Sequence, residues 1–281
     1  MFNYKNILIV AFEKNKSNTA LNEIKKILTE NKLDHKVYDE SKPLENYVGF
    51  DLVLVIGGDG SMLSAAKLFS GYGIPFLGVN LGKVGFMADL SVDSLNSQLV
   101  EILSGTNQIE EKETIQCSYD GTEYTAFNEV VLHTHKSYKL MEFEVEINDE
   151  LVYRKRADGL IISTSNGSTA YSLSAGGPIL SPNTNAFVIT SLNPLSLSAR
   201  PLIVPSSSRI SVKLAKPLDE LESLIIIDGN QEIKINDSDM RFSVTKNKQS
   251  FKLLHPENHD FYKTCRDKLN WSLSKYENSS N

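Results

Sequence analysis

Residues Asp51-Leu52-Val53-Leu54-Val55-Ile56 run straight into Gly57-Gly58. A continuous aliphatic run of this length, with no polar alternation and a glycine stop, is the pattern of a central strand covered on both faces, as in parallel sheets flanked by helices. That constrains the first hundred residues to alternate strands with helices, and they do so. Ile7 to Phe12 is apolar, and Asn18 to Lys32 carries Leu21, Ile24, Ile27 and Leu28 at helical spacing behind a Ser17/Asn18 cap. Lys36 to Tyr38 is a short strand, Ser61 to Ser70 a helix, Ile74 to Val79 a strand and Val92 to Leu103 a helix. The expected unit is α/β, doubly wound and Rossmann-like.

After Gly105 the texture changes to short strands with turn signals every ~8–12 residues, the spacing of an all-β unit. Ile115 to Tyr119, turning at Asp120-Gly121 into Glu123 to His133, reads as one hairpin. Lys139 to Ile147, turning at Asn148-Asp149 into Leu151 to Arg156, reads as another, with Phe143, Val145 and Ile147 alternating with Glu142, Glu144 and Glu146. Further strands follow at Leu160, Phe187, Leu202, Ile210, Leu224, Glu232, Arg241 and Phe251. The carboxyl end turns helical with Phe261, Tyr262, Cys265 and Leu269 on one face, and Asn278 to Asn281 reads as a frayed tail. The expected organisation is residues 1–106, 107–254 and 255–281.

Lys plus Arg number 29 against 35 Asp plus Glu, a net charge of −6, which argues against a broad nucleic-acid face. Any anion site must therefore be built locally. Cys117 and Cys265 are far apart, with no metal-binding spacing around either, and fit a reducing, cytoplasmic setting. No apolar run approaches the ~20 residues of a membrane span, and the short run at Ile7 reads as a strand, not a leader.

Gly57-Gly58-Asp59-Gly60-Ser61 lies where a buried strand gives way to a helix, the place where open α/β sheets put ligands and where glycines let backbone amides approach phosphate. It lacks the third glycine of the dinucleotide fingerprint, whose place is Leu63. Gly78 to Lys83 misses the P-loop spacing, and Val84 replaces its hydroxyl residue. What remains is a carboxylate where a base could meet a hydroxyl, or a tight turn capped by Asp59. Asn128-Glu129 interrupts an apolar stretch, so it faces solvent or serves a polar ligand. Arg154 to Gly159 fits a charged ligand contact or a surface salt bridge and turn. Thr164 to Pro178 is rich in small and hydroxyl residues, suited to a loop closing on a polar ligand. His133 and His135 share a strand face but lack a third metal ligand and read as structural or surface residues. Ile227-Asp228-Gly229-Asn230 reads as a hairpin turn.

Taken together, Asn128-Glu129, Arg156-Ala157-Asp158-Gly159-Leu160 and Gly167-Ser168-Thr169-Ala170-Tyr171-Ser172-Leu173-Ser174-Ala175-Gly176-Gly177-Pro178, in that order, resemble the bacterial NAD kinases over nearly the whole chain. Gly57-Gly58-Asp59-Gly60 is shared more widely with diacylglycerol, sphingosine and 6-phosphofructokinases. The resemblance implies an α/β first domain, an all-β second domain, a carboxyl-terminal segment returning to the first, and an active site between the domains. It implies that Asp59 takes the proton from the adenosine ribose 2′-hydroxyl of NAD as that oxygen attacks the γ-phosphate of ATP, with a divalent cation (Mg or Mn) present. Gly57, Gly58 and Gly60 would meet ATP phosphates. Asp59 and Gly60 would also contact NAD, with Asn128 and Glu129 on its adenosine, Arg156 and Asp158 toward nicotinamide, Thr169, Ala170, Tyr171, Ser172, Leu173 and Ser174 lining the pocket, and Asn230 approaching the ligand. A homo-oligomer, dimer or tetramer, is implied as well.

The chain departs from the family pattern at Thr164-Ser165-Asn166-Gly167, where Thr-Pro-Thr-Gly is usual. Losing the proline frees the unfolded chain by about 0.4–1 kcal/mol. Ser61 replaces a common threonine, and Asn230 a common glutamine. The alternative is a lipid or sugar kinase of the same superfamily; against a lipid substrate stand the shortage of any apolar, membrane-facing stretch and the polar loop at Thr169 to Ser174. A non-catalytic dinucleotide sensor is disfavoured by the presence of Asp59.

Overall fold

The computed structural model describes residues 2–82, 85–134, 140–214, 223–235 and 241–271. The chain forms two compact units, one built from residues up to Glu111 together with those from Phe251 onward, the other from Lys112–Ser250. The first unit runs β1 (Asn6–Val10), α1 (Lys14–Glu30), β2 (Asp34–Val37), β3 (Leu52–Ile56), α2 (Asp59–Phe69), β4 (Phe76–Asn80), β5 (Leu90–Ser91), α3 (Leu95–Leu103) and β6 (Asn107–Lys112). The second runs β7 (Ile115–Tyr119), β8 (Thr122–Ala126), β9 (Glu129–Thr134), β10 (Met141–Ile147), β11 (Glu150–Ala157), β12 (Gly159–Ser163), α4 (Tyr171–Ser174), β13 (Ala186–Leu192), β14 (Leu202–Pro205), β15 (Ile210–Leu214), β16 (Ser223–Ile227), β17 (Gln231–Ile235) and β18 (Arg241–Lys246). The chain then re-enters the first unit with β19 (Phe251–Pro256) and α5 (Phe261–Leu269).

In the first unit the sheet order is β2-β1-β3-β4-β19-β6, with β5 on β4, and the pairs from β2 through β19 are parallel. All five residues of β3 are buried. Helices cover the sheet: Ile24, Ile27 and Leu28 of α1 and Leu99, Ile102 and Leu103 of α3 pack with Ile7, Ile9, Leu52 and Leu54 in one apolar cluster. The strand order reverses between β1 and β3, so the carboxyl ends of these two strands open the crevice in which such sheets hold ligands.

In the second unit all pairings are antiparallel, in two six-stranded sheets ordered β11-β10-β15-β18-β7-β8 and β14-β13-β12-β9-β16-β17. Val130, Leu132, Leu160 and Ile162 from the second sheet share one core with Phe143, Val145, Phe242 and Val244 from the first. Val131 and Ile161, one residue out of phase, pack on the opposite face with Leu192 and Ala175. That is why β9 and β12 read as continuous apolar runs while β10 alternates.

Several boundaries differ from those expected. The expected breaks at 106/107 and 254/255 fall at 111/112 and 250/251, because β6 and β19 hydrogen-bond as neighbours in the first unit's sheet. The strand starting at Phe251 therefore does not belong to the β unit. Helix α1 starts at Lys14, and Ser17 is no cap: its hydroxyl donates to the Glu13 carbonyl at 2.8 Å, one turn back. The hairpin at Asp120-Gly121 forms between β7 and β8, but its second strand, expected from Glu123 to His133, is broken at Phe127-Asn128, with β8 and β9 in different sheets. Tyr262 faces outward, 52% exposed, and α5 buries Thr264 and Cys265. The Asn148-Asp149 turn forms as expected, both residues with positive φ (51° and 69°), which suits the twist of a two-residue hairpin. His135, Lys83, Val84, Lys139 and the tail from Asn278 lie outside the described residues.

Candidate active site

In the first unit the β3–α2 junction puts Asp59 at the first helical position, two residues earlier than the sequence suggests. Gly57 has φ +151°, and a Cβ there would lie 2.3 Å from Ser61 Oγ, so the turn itself demands glycine. Gly58 and Gly60 differ: a Cβ on either meets nothing within 4 Å. Their missing side chains leave open space rather than resolve a clash. That space belongs to a cavity of about 430 Å³ lined by Phe12, Glu13, Gly58, Gly60, Ser61 and Ser64, at the carboxyl ends of β1 and β3.

The Asp59 carboxylate is held from two sides. Oδ1 accepts from the Met87 amide at 2.9 Å and Oδ2 from the Phe86 amide at 3.2 Å. Lys268 of α5 donates to Oδ2 at 2.6 Å, its ammonium 5.1 Å from the centre of the Phe86 ring. Gly85 makes the approach possible, since a Cβ there would stand 2.2 Å from Asp59 Oδ1. The Gly85 to Ala88 turn is closed by a backbone bond from Gly85 N to Ala88 O of 2.8 Å.

Asp89, next along, lies among histidines. Burial would raise its carboxyl, but hydrogen bonds from His255 and His259, with their charges, outweigh that and hold it down at about 2. Burial would lower His255, but hydrogen bonds to Asp89 and Glu110 raise it instead.

In the second unit Asp228 organises the Asn128-Glu129 turn. The hairpin turn puts Asp228 at φ +47° and Gly229 at +68°. The Asp228 carboxylate accepts from three successive amides, Phe127 (3.0 Å), Asn128 (2.7 Å) and Glu129 (3.2 Å). Amides that point at one carboxylate cannot serve a strand ladder, which is why the β8 strand stops before Asn128. Asn128 Oδ1 accepts from Asn166 Nδ2 at 2.6 Å, and Gly167 packs so close that a Cβ would meet the Asn128 carbonyl at 2.2 Å. Glu129, buried, opens β9.

The expected loop after Thr164 is ordered as a turn of 3₁₀-helix, Asn166–Thr169, followed by the single turn α4. Ser168 and Ser172 are buried: Ser168 Oγ bonds Ser165 O and Leu180 N, and Ser172 Oγ lies 3.4 Å from Thr190 Oγ1. Thr169, Ala170 and Leu173 are half-buried, and Tyr171 and Ser174 exposed. Arg156 is exposed, and Asp158 accepts from Asn193 Nδ2 at 2.9 Å. Asn230 is exposed in the turn beside Asp228. Sequence reasoning missed Lys268, Asp228 as a clamp and the Asp89–His255–His259 group. Only the four-residue spacing of His255 and His259 offered a signal.

A switch-point crevice with glycines at a helix start is where open α/β sheets commonly hold phosphorylated ligands. Comparison with known proteins agrees. Residues 5–107 match the model of the ATP-NAD kinase N-terminal domain, and residues 127–255 that of the ATP-NAD kinase C-terminal domain. An NAD kinase of Teredinibacter turnerae is 43% identical over 227 residues, covering 79% of this chain and 77% of that protein. One of Buchnera aphidicola is 40% identical over 255 residues, covering 88% and 87%. The crystal structure of a yeast NADH kinase complexed with NADH superposes with a TM-score of 0.83 at 25% identity, covering 96% of this chain and 89% of that one. The chain belongs to the ATP-NAD kinase family, and it is an enzyme, a kinase.

Proposed function

We propose that this kinase moves the γ-phosphoryl group of ATP to the adenosine ribose 2′-hydroxyl of NAD, giving NADP and ADP. The observation that carries the site assignment is the open space at Gly58 and Gly60, at the β1/β3 switch point beside Asp59. In this reading Asp59 accepts the 2′-hydroxyl proton as the ribose oxygen bonds to the γ-phosphorus, and the bond to the bridging oxygen breaks with its electron pair going to ADP. The amides of Gly57, Gly58 and Gly60 meet the ATP phosphates at a helix start. Met87, Phe86 and Lys268 fix the carboxylate's direction beforehand, a form of preorganisation.

The binding roles follow the same reading. Asn128 and Glu129, set by Asp228, hold adenosine; Arg156 and Asp158 lie toward nicotinamide; Thr169, Ala170, Tyr171, Ser172, Leu173 and Ser174 form a pocket wall; Asn230 reaches the ligand from its exposed turn. Ser172 acts from inside, by packing, as its burial requires.

The donors around the cavity are oxygens, from Glu13, Ser61 and Ser64, which fit a hard cation such as Mg²⁺ or Mn²⁺. Glu13 and Ser61 would hold it with the ATP phosphates, while both oxygens of Asp59 already have donors. Bound there, the cation supplies charge neutralisation on the phosphates.

A cytoplasmic setting agrees with two buried, unbridged cysteines. Among the described residues no helix is long and apolar enough to cross a membrane. A homo-oligomer accords with Ile203, which is exposed on edge strand β14.

Incubating purified protein with NAD and Mg-ATP, followed by an NADP-specific enzymatic readout, tests the reaction. Absence of NADP sinks it. Undiminished NADP from Asp59→Asn removes Asp59 as the base while leaving the substrates in place.

A further inference from the structure

Asp89, His255 and His259 of the first unit bring one carboxylate oxygen and two imidazole nitrogens to one point. Asp89 Oδ2 lies 3.0 Å from Nδ1 of His255 and 2.6 Å from Nδ1 of His259, and one ligand-type atom from each of the three residues lies within 4.8 Å of the others. In a tetrahedral site with bonds of about 2.0–2.1 Å, ligand atoms stand about 3.3 Å apart. The His255 and His259 rings stack, with centres 3.9 Å apart and planes at 22°, so taking up an ion requires the two rings to turn apart by roughly an ångström, until both Nδ1 lone pairs point at it.

Three further observations favour a ligand over a plain ion triad. The Asp89 and His255 side chains are 6% and 1% exposed, yet Oδ1 of Asp89 is buried with no hydrogen-bond partner among the described residues. A bare buried carboxylate oxygen is costly; the triad, which uses Oδ2 alone, leaves that cost unrelieved, whereas an ion that both Asp89 oxygens meet removes it. On the far side of His255, Nε2 lies 3.0 Å from Glu110 Oε2, the carboxylate–imidazole pairing that stands behind metal-bound histidines and fixes their tautomer. Finally, Asp89 and His259 line a cavity of about 480 Å³, which leaves room for a fourth ligand.

We propose that Asp89, His255 and His259 form a transition-metal site of the zinc class. Two imidazoles and one carboxylate suit Zn²⁺ or Co²⁺, not the hard cation that travels with ATP. Binding takes up the Nδ1 lone pairs and releases any proton held between Nδ1 and Asp89, while His255 keeps its Nε2 proton toward Glu110. The site ties together the two segments that frame Asp59. Asp89 follows the Phe86 and Met87 amides that hold the carboxylate, and His259 precedes α5, which carries Lys268. The assignment stands whether or not Asp59 is the catalytic base.

The test is a Co²⁺ titration of the whole protein after chelator treatment and desalting. One equivalent should produce the visible absorption of a four- or five-coordinate ion, and Zn²⁺ should abolish it. His259→Gln, at a half-buried position, should keep the circular dichroism of the parent and lose the band. Glu110→Gln should retain the band with affinity about 10–100-fold weaker. Asp59→Asn should bind Co²⁺ like the parent, which separates this site from the kinase reading. The proposal is overturned by absence of a saturable band, by a band unchanged in His259→Gln, or by one lost in Asp59→Asn.

Discussion

Lys268 donates to Asp59 at 2.6 Å across a sequence separation of 209 residues. The pair is partly open, with side chains 34% and 28% exposed, so screening reduces what the charge contributes and leaves orientation as its main effect. A hydrogen bond to a charged group is worth about 1.5–3 kcal/mol, and at the low end its loss in the transition state is a factor of about ten. Lys268→Met is expected to lower kcat about tenfold with KM for NAD nearly unchanged, as read by steady-state NADP formation. An unchanged kcat means that the Phe86 and Met87 amides suffice.

Gly60 lies in the first turn of α2, where alanine is the better helix former by about 0.5–1 kcal/mol, and a Cβ there meets nothing. Gly60→Ala should therefore raise the urea midpoint slightly and still weaken ATP, increasing its KM several-fold. A variant both more stable and unimpaired would show that the open space is not used by phosphate.

Asp228 accepts from three consecutive amides at the start of β9. Asp228→Ala removes that shared acceptor from a buried turn, at a cost of about 2–4 kcal/mol in urea unfolding. The same loosening should raise KM for NAD more than KM for ATP, because Asn128 and Glu129 belong to the turn. Equal effects on both substrates would argue against the adenosine role.

Burial pushes the Cys117 thiol up to about 12, from an ordinary 9.0. Burial likewise raises the Tyr153 phenol to about 12, against a smaller opposing hydrogen bond with Ser191. The unfolded chain releases these protons first, so the contribution to stability is full below pH 9 and declines as pH rises toward 12. The slope is about 1.4 kcal/mol per pH unit for each group. Urea midpoints should fall between pH 8.5 and 10.5, and Cys117→Ala should flatten part of that fall.

Much of this architecture was legible because it rests on local periodicity. The run at Leu52 to Ile56 could only be a strand covered on both faces, and the Phe143/Glu144 alternation could only be a half-solvated one. What escaped was set by contacts distant in sequence. The break at Asn128 depends on a carboxylate at Asp228, and the sheet membership of Phe251 to Pro256 on neighbours laid down far earlier. Asn128, Glu129 and Asp59 stood out as polar residues in apolar or glycine-rich surroundings. Lys268 did not, since a lysine on an amphipathic helix looks like any solvated cation until its partner is known.

The position of β19 between β4 and β6 bears on how the chain is made. A ribosome delivers β4 and β6 early, yet the strand that separates them emerges only after the whole β unit has been synthesised. The α/β unit therefore cannot complete itself in the order of synthesis, unlike a domain that folds as soon as it leaves the tunnel. In the finished sheet β4 and β6 meet only through Phe251 to Pro256, and the segment that joins them leads into α5, which brings Lys268 to Asp59. Maturation of the Asp59 setting thus waits on β19 and α5, so nascent chains halted before β19 lack both the finished sheet and the poised carboxylate.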